Sequence, residues 1–503
     1  MEQNDRSLFR VAVPIIVLVL AINFLTMPAE EYPGDAHAVR VETTMLLDTG
    51  KWAIPSEIAE NFGERGQYFY QNPNGNWYPK YGTLNTLIYL PALWLERAVT
   101  GNLAIDSSAR LLFLNLLNLI LSAATALYLV LLARRYTRSN VVVAIFVLAA
   151  LYSTFWWNYL RAQTFEIYHT LFLLAFYYHF VSGFNLQRND SNRRKSDAQF
   201  FIAAIFFGAL CLCKTVYTAL LPALVVIWAL PKTDSVSPVA RERRDRPLLF
   251  FWLPACIFLC ILAAANWYKF GSPLVTGYTQ WEKESHPFQA NVFPAFWGFL
   301  FSPHQSVFLH FPVFLFALAG WPNFFRKHKP DAIAAALFGL TLLLVNSMYL
   351  NWRGESSYGP RYLLPILPIL SLPFIEYLTW LIERPNRIAK SLLGGGTIAL
   401  LLYSFLLQVS VNSLPFFFCY SLKDILDDKR FSKPAIYLRS HSFGTIDRDF
   451  LLYKTGHVLP LAEGFIGPLN PKESERMNAL MAFAQTNYYW FPNLLHKELQ
   501  PAR

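Results

Sequence analysis

Residues 11–27 (VAVPIIVLVLAINFLTM) decide the fold class, because they form an apolar stretch without a charged residue. A membrane-spanning helix needs about 20 mostly apolar residues, with a lower limit near this length. Similar segments follow at about 111–133, 141–158, 164–183, 200–214, 215–231, 248–266, 306–321, 331–350, 362–381 and 391–411. The sequence therefore predicts an all-α, polytopic membrane protein with about 11 transmembrane helices.

The composition of the whole chain agrees with a membrane protein. Hydrophobic residues make up 54% of the 503 positions and charged residues only 15%, whereas soluble domains carry about 25% charged residues. This excludes a disordered chain, a coiled coil and a collagen-like chain. The net charge of +10 follows from the Lys and Arg that accumulate in cytoplasmic loops, so no nucleic-acid partner is predicted.

Lysine and arginine alternate between loops, and this alternation predicts the orientation. The richer loops lie at 134–140, 184–199, 232–247, 324–330 and 382–390. The poorer loops lie at 159–163, 214, 267–305 and 351–361. We therefore predict a multi-pass protein with a cytoplasmic N-terminus and an extracytoplasmic C-terminus. Any chemistry belongs on the outer face, because the inner loops are short and basic and contain no phosphate-binding glycine loop.

The first outer loop, at about 28–110, is predicted to hold interfacial helices. Residues 83–99 resemble a span, but counting them as a crossing would place the arginines of 134–138 outside. We therefore predict a helix lying in the outer interface or dipping partway into the membrane. Asp35–Gly50 is predicted to form an amphipathic helix resting on the membrane. The membrane domain is predicted to cover 1–411, and 412–503 a small extracytoplasmic region.

Several charged residues fall at the predicted outer boundary, where charge is costly unless it is paired or functional. They are Asp35, Lys80, Arg161, Glu166, Lys214 and Arg361. A carboxylate can take the proton from an attacking hydroxyl, and cations can hold a phosphate. A leaving lipid phosphate gains negative charge as its bond to a sugar breaks, so preplaced cations stabilise that transition state.

Each of these residues also has a purely structural explanation, which the residues alone leave open. Asp35 can cap its helix, and Glu166 gains from the dipole at a helix N-terminus. Lys214 can extend its ammonium group to the membrane surface, and Lys80 can be an ordinary surface lysine. The two arginines can anchor helix ends.

Five segments carry a resemblance to a known family. They are 34–55 (GDAHAVRVETTMLLDTGKWAIP), 78–95 (YPKYGTLNTLIYLPALWL), 266–278 (NWYKFGSPLVTGY), 299–321 (FLFSPHQSVFLHFPVFLFALAGW) and 352–368 (WRGESSYGPRYLLPILP). Together they resemble membrane glycosyltransferases of the GT-C fold, relatives of protein O-mannosyltransferases and of the lipid A aminoarabinose transferase. The resemblance covers about residues 10–410 and implies a GT-C-like fold.

The resemblance also implies roles for individual residues. Asp35 matches the family's acidic residue early in the first outer loop, the general base. Lys80 and Arg361 match contacts to the donor phosphate. Glu166 falls where relatives place a second acidic residue, with Arg161 nearby.

The chain departs from the family pattern at several of these positions. Asp35 is followed by Ala36 rather than by a second acid, Glu166 is longer than the usual Asp, and Tyr81 replaces a proline after Lys80. No metal ligands are predicted, because no Cys or His spacing resembles a metal site. No cofactor is assigned, and dependence on a divalent metal is left open.

The resemblance, together with the predicted outer-face charges, predicts a glycosyltransferase of the bacterial cytoplasmic (inner) membrane. Asp35 and Glu166 are its candidate catalytic residues, and Lys80, Arg361, Arg161 and Lys214 its candidate phosphate contacts. The expected partners are a polyprenyl-phosphate sugar donor, membrane lipids, and an extracytoplasmic glycan, lipid or protein acceptor in the cell envelope. A lipid-linked sugar transporter or flippase and an inactive assembly subunit stay as alternatives. Transporters tend to show paired repeats, and none is visible here.

Overall fold

The computed structural model describes residues 2–28, 35–61, 68–101, 112–186, 193–229, 238–281, 288, 291–302, 305–350, 352 and 358–412. The first helices are α1 (Glu2–Leu25), α2 (Asp35–Thr49), α3 (Ser56–Asn61), α4 (Thr83–Thr100), α5 (Leu112–Tyr136), α6 (Asn140–Tyr152), α7 (Trp156–Arg161), α8 (Glu166–Leu186), α9 (Arg193–Cys213) and α10 (Leu220–Ala229). The later helices are α11 (Pro238–Phe270), α12 (Gly277–Trp281), α13 (Val292–Phe301), α14 (Val307–His310), α15 (Phe314–Lys327), α16 (Lys329–Met348), α17 (Leu367–Leu370), α18 (Pro373–Glu383) and α19 (Arg387–Asn412). Within the described ranges, 3₁₀ turns cover Thr215–Ala219 and Arg361–Leu363.

Six helices in the described ranges are long and apolar enough to cross a membrane. The apolar stretches are Leu8–Leu25, Leu112–Tyr136, Arg193–Cys213, Leu249–Phe270, Lys329–Met348 and Arg387–Val409. The protein is thus a mostly helical, multi-pass membrane protein. All the predicted spans fall on helical segments, but the count of about 11 crossings is not established by these six.

Several predicted spans are broken rather than continuous, which corrects their predicted lengths. The segment 141–158 divides into α6 and α7, because the Thr154 hydroxyl accepts from Trp156 N at 3.1 Å and donates to Ala150 O at 2.8 Å. The segments 306–321 and 362–381 are divided where prolines occur. Proline lacks the N–H that a continuing helix requires.

The centre of the helical bundle is an aromatic core. Rings from α8, α9, α10, α11 and α16 contact one another at centroid distances of 5.0–6.3 Å. The residues are Phe176, Phe200, Phe207, Trp228, Phe251 and Phe338. Helix association in lipid depends on close packing, since the lipid tails are as apolar as the side chains. Interlocking rings supply that packing and account for part of the 17% aromatic content.

The first outer loop contains a feature that the all-α prediction missed. Strands β1 (Phe69–Gln71) and β2 (Trp77–Pro79) form an antiparallel hairpin in which Tyr70 pairs with Tyr78. The Asn72 side chain accepts from two backbone N–H groups of the turn, and Gly75 adopts φ +82°. The hairpin ends immediately before Lys80, so it determines where that lysine lies.

Helices α2 and α4 pack against each other beside the hairpin. The predicted helix at Asp35–Gly50 is confirmed as α2, but the prediction of one apolar face resting on the membrane is wrong. All residues of α2 from Ala36 to Met45 are buried, including charged ones, because α4 and neighbouring elements surround it. The helix predicted at 83–99 is present as α4, and its interfacial location stays a prediction.

The predicted C-terminal region lies almost wholly outside the described residues, which end at Asn412. The proposed division into 1–411 and 412–503 therefore stays a prediction.

Candidate functional site

Asp35 begins α2 and lies at the centre of a polar cluster. Its Oδ2 accepts from Arg361 Nη2 at 2.5 Å, and its Oδ1 accepts from the Tyr81 hydroxyl. Tyr81 follows the β-hairpin, so the two strands and α2 together set the position of this carboxylate. Asp35 thus has a partner on each oxygen.

Arg361 joins the two predicted carboxylates. Its Nε donates to Glu166 Oε1 at 2.6 Å while its Nη2 reaches Asp35. The planar guanidinium group suits such a bridge, because it presents several N–H donors in a fixed fork. Glu166 begins α8, and its Oε2 has no hydrogen-bond partner among the described residues. One carboxylate oxygen in the cluster is therefore buried with an unused acceptor position.

The turn that carries Arg361 depends on a glycine. Gly359 adopts φ +66°, a region that side-chain-bearing residues rarely enter. A Cβ there would also lie 3.0 Å from the ring of His310. The turn can therefore reverse the chain tightly and direct Arg361 toward α2 and α8.

The charges around Asp35 outweigh its partial burial. Burial alone would raise the pKa of Asp35, but the charges of Arg361 and Lys80 and the hydrogen bonds from Tyr81 and Arg361 lower the pKa to about 2. Asp35 is therefore ionised at neutral pH. While no bound anion offsets the charges of Arg361 and Lys80, Asp35 is also a weak base.

The two predicted lysines lie close to aromatic rings. Lys80 Nζ is 5.5–5.8 Å from the ring centroids of Tyr68, Tyr81 and Tyr278. Lys214 Nζ is 4.5 Å from the Tyr362 ring and 5.8 Å from the Tyr278 ring. Such contacts stabilise an ammonium group that has lost part of its water shell.

Lys214 lies between α9 and the following 3₁₀ turn, and its charge is partly destabilised. Burial lowers its pKa most, and the positive charges of Arg361 and Lys80 lower it further, although Glu166 and Asp35 act in the opposite direction. The resulting pKa is about 8. An anion bound beside Lys214 would relieve this repulsion.

Lys80 and Lys214 line one recess of about 340 Å³, a volume that includes the space at its mouth. Tyr81, Tyr278 and Lys269 also line it, whereas Asp35, Glu166 and Arg361 do not appear among its described lining residues. Tyr81 lines the recess and donates to Asp35, so it links the lysine-lined recess to the carboxylate cluster. The arrangement can hold an anion near a carboxylate that can accept a proton.

A glycine and an amide hold α4 against α9 behind the recess. A Cβ on Gly82 would lie 2.1 Å from Leu212 O, so only glycine allows this approach. Asn85 Nδ2 donates to Cys213 O at 2.9 Å, and Tyr168 OH donates to Asn85 Oδ1 at 2.8 Å. These contacts hold the end of α9, which precedes Lys214, against the start of α4, which follows Lys80.

Arg161 makes a different kind of contact from the other predicted residues. Its Nε donates to Thr26 O at 2.7 Å, and its Nη1 donates to Asn412 O. These carbonyls lie at the ends of α1 and α19, so Arg161 ties two helix ends together. Its role as a phosphate contact stays a prediction, as do the roles of the other candidate residues.

Sequence reasoning missed three residues of this site, namely Tyr81, Tyr278 and Lys269. The segment 266–278 was noted only for its resemblance, although it contributes two of them. The charged Lys269 at the end of an apolar stretch was a signal of the same kind as Lys214. Within the described residues, no group of three or more His, Cys, Asp or Glu side chains could hold a metal ion.

Comparison with known proteins gives structural matches alone. The sequence matches no protein-family model and no curated protein sequence. ArnT from Cupriavidus metallidurans bound to undecaprenyl phosphate aligns with a TM-score of 0.52 and 13% identity, over 98% of this chain and 81% of that chain. The archaeal oligosaccharyltransferase AglB from Archaeoglobus fulgidus, in complex with an inhibitory peptide and a dolichol-phosphate, aligns with a TM-score of 0.50 and 11% identity.

The alignment with the archaeal oligosaccharyltransferase covers 89% of this chain and 59% of that chain. At such low identity the likeness shows the fold alone. The chain shares its membrane fold with these two proteins, and the GT-C fold expected from the sequence is confirmed.

Proposed function

We propose that this chain is a membrane glycosyltransferase that moves a sugar from a polyprenyl-phosphate carrier to an extracytoplasmic acceptor. One observation carries the proposal: Asp35, Glu166 and Arg361 form one hydrogen-bonded cluster beside a recess lined by Lys80 and Lys214. The undecaprenyl phosphate bound to ArnT supports a lipid-phosphate ligand for a chain of the same fold.

The reaction is a single inverting displacement. Asp35 accepts the proton of the acceptor hydroxyl, and that oxygen forms a bond to the anomeric carbon. The bond between this carbon and the phosphate oxygen breaks, and the lipid phosphate leaves with the electron pair. Lys80 and Lys214 stabilise the charge that develops on the phosphate.

Donor binding also activates the base. Asp35 has a pKa of about 2 because Arg361 and Lys80 stabilise its ionised form. An anionic phosphate beside these cations offsets their charge and raises the basicity of Asp35. The enzyme is thus a better base when the donor is present, which favours binding of the donor before the acceptor.

Arg361 orients Asp35 and Glu166 rather than acting on the phosphate alone, since its guanidinium forms ion pairs with both carboxylates. Glu166 Oε2 accepts from a hydroxyl of the acceptor or of the sugar. The transferase domain covers residues 1–411 in a bacterial inner membrane, with Asp35 on the outer side.

The test uses the full chain in liposomes. It is supplied with a panel of undecaprenyl-phosphate-linked hexoses and pentoses and with lipid, glycan and protein fractions of a cell envelope. We expect release of undecaprenyl phosphate and a product of inverted anomeric configuration. Asp35→Asn should abolish transfer. Asp48→Asn should not, although Asp48 lies on the same helix and pairs with Arg97 at 2.6 Å.

Full activity of Asp35→Asn would remove the proposed base. Movement of labelled lipid-linked sugar between leaflets without transfer would favour the transporter, and inactivity toward every donor would favour an assembly subunit. A parallel reaction with EDTA tests whether a divalent metal takes part.

A further inference from the structure

A third lysine, Lys269, lines the recess that holds Lys80 and Lys214. It lies in the last turn of α11. The described lining contains three lysines and the hydroxyls of Thr83, Thr215 and Thr276, but no carboxylate. Cations and hydroxyl donors without a lining acid are the groups that bind a phosphate.

A carboxylate behind the recess holds Lys269 in place. Glu42 Oε1 lies 2.6 Å from Lys269 Nζ, and the two side chains are 0% and 3% exposed. The other oxygen of Glu42 accepts from the Thr86 hydroxyl. The Trp52 ring centroid is 5.5 Å from Lys269 Nζ, so the ammonium group lies between a carboxylate and an aromatic face.

This ion pair leaves Lys269 able to bind a second anion. An ammonium group has three N–H donors, and one carboxylate contact does not occupy them all. Glu42 lies on α2 and is not among the described lining residues, whereas Lys269 is. Lys269 is therefore the member of the pair that borders the recess, and its ammonium nitrogen is buried beside Glu42.

We propose that Lys269 binds the phosphate of a lipid-linked donor together with Lys80 and Lys214, and that Glu42 is a positioning residue that keeps Lys269 aimed into the recess. This inference rests on the proposed function, because it assigns a further contact to the same donor. The alternative is that Glu42 and Lys269 only brace α2 against α11. In that case replacing either residue should change the binding of undecaprenyl phosphate by the same amount.

The test measures the binding of undecaprenyl phosphate to the full chain in nanodiscs, with undecaprenol as the lipid that lacks phosphate. The variants are Lys269→Met, Glu42→Gln and the double variant, which replaces the ion pair by a neutral pair of similar volume. We expect Lys269→Met and the double variant to bind undecaprenyl phosphate about tenfold more weakly, the effect of one hydrogen bond between charged groups. Glu42→Gln should bind it about as tightly as the unchanged protein, because the glutamine amide oxygen can still accept from Lys269 and hold it in place.

Two results would overturn the inference. One is a double variant that binds undecaprenyl phosphate as tightly as the unchanged protein. The other is a Glu42→Gln variant that loses as much affinity as Lys269→Met. Lys327→Met, which removes a lysine paired with Glu376 at 2.8 Å, is the matched control and should bind the lipid normally.

The design separates this inference from the proposed function. If the unchanged protein binds undecaprenyl phosphate no better than undecaprenol, the proposed donor class fails as a whole. If it prefers undecaprenyl phosphate and the double variant binds that lipid as tightly as the unchanged protein does, only the role of Lys269 fails. We expect millimolar inorganic phosphate to leave the lipid bound, and displacement at micromolar phosphate would assign the recess to a free anion instead.

Discussion

Arg361 Nη2 donates to Asp35 Oδ2 at 2.5 Å, although 326 positions separate the two residues in the chain. The same guanidinium donates to Glu166 through Nε at 2.6 Å. One side chain therefore fixes the distance between the two acidic residues that the sequence singled out. An arrangement of this kind would position the proposed base before any substrate binds.

Replacement of Arg361 by lysine tests that bridge. Lysine keeps the charge but has no planar fork, so it cannot hold both carboxylates in their present geometry. We expect the rate of transfer to fall about 100-fold or more, since small misplacements of reacting groups have effects of that size. Single-turnover transfer measures the rate, and a rate within twofold of the unchanged protein would contradict the bridge.

The pH dependence of donor binding should report Lys214. Its pKa is about 8 in the free protein, below the ordinary value of 10.5, and a phosphate binds the protonated form. Below pH 8 Lys214 stays protonated, so it should cause no change in the affinity for undecaprenyl phosphate. Above pH 8 the free protein loses this proton, and affinity should fall up to about tenfold per pH unit.

Lys214→Arg is the control for that titration. Arginine stays charged over the whole range, so its affinity should show no such decline above pH 8. A decline of equal steepness in both proteins would assign the titration to another group.

Gly82→Ala should move Lys80 and Lys214 farther apart. The new Cβ would lie 2.1 Å from Leu212 O and 2.5 Å from Cys213 O, and these backbone atoms cannot rotate away. We expect a loss of stability of about 1–3 kcal/mol together with weaker binding of undecaprenyl phosphate. Thermal unfolding in detergent and a lipid-binding titration measure the two effects.

Gly394→Ala provides the comparison, because no atom lies within 4 Å of a Cβ built there. Gly394 is within α19, where alanine favours the helix by up to about 1 kcal/mol. This variant should be as stable as the unchanged protein or slightly more stable. Equal behaviour of the two alanine variants would show that the close approach at Gly82 is unimportant.

Asp331→Asn should affect stability without affecting the site. Asp331 accepts from Arg135 Nε at 2.9 Å and from the Tyr136 hydroxyl at 3.0 Å, and it is buried. Loss of one partner of a buried ion pair destabilises a protein by about 3–5 kcal/mol. The unfolding temperature should fall, while the donor KM of the protein that remains folded stays unchanged.

A change in donor KM without a change in unfolding temperature would contradict that assignment. The distinction matters because Arg135 and Arg361 are both partly buried arginines paired with carboxylates. The first joins α5 to α16 and braces the bundle, whereas the second lies beside the lysine-lined recess.

The apolar segments alone predicted where most helices lie. Hydrophobic length and spacing are local properties, and lipid leaves the backbone few options other than a helix. The β-hairpin was missed, although its Asn72–Asn76 turn between aromatic residues is a recognisable hairpin signal. The breaks beside Thr154 and at the prolines were missed because apolar composition does not reveal where a backbone hydrogen bond is lost.

The sequence by itself determined that this is a helical membrane protein, and it identified the charged residues at the predicted outer boundary, because charge in lipid is costly wherever it occurs. Only the tertiary structure decided which of these charges meet. It placed Asp35, Glu166 and Arg361 in one cluster and Lys80, Lys214 and Lys269 around one recess, and it used Arg161 to join two helix ends. The reason is physical: ion pairs form across elements that are distant in the chain, and their partners depend on how helices pack rather than on any local pattern.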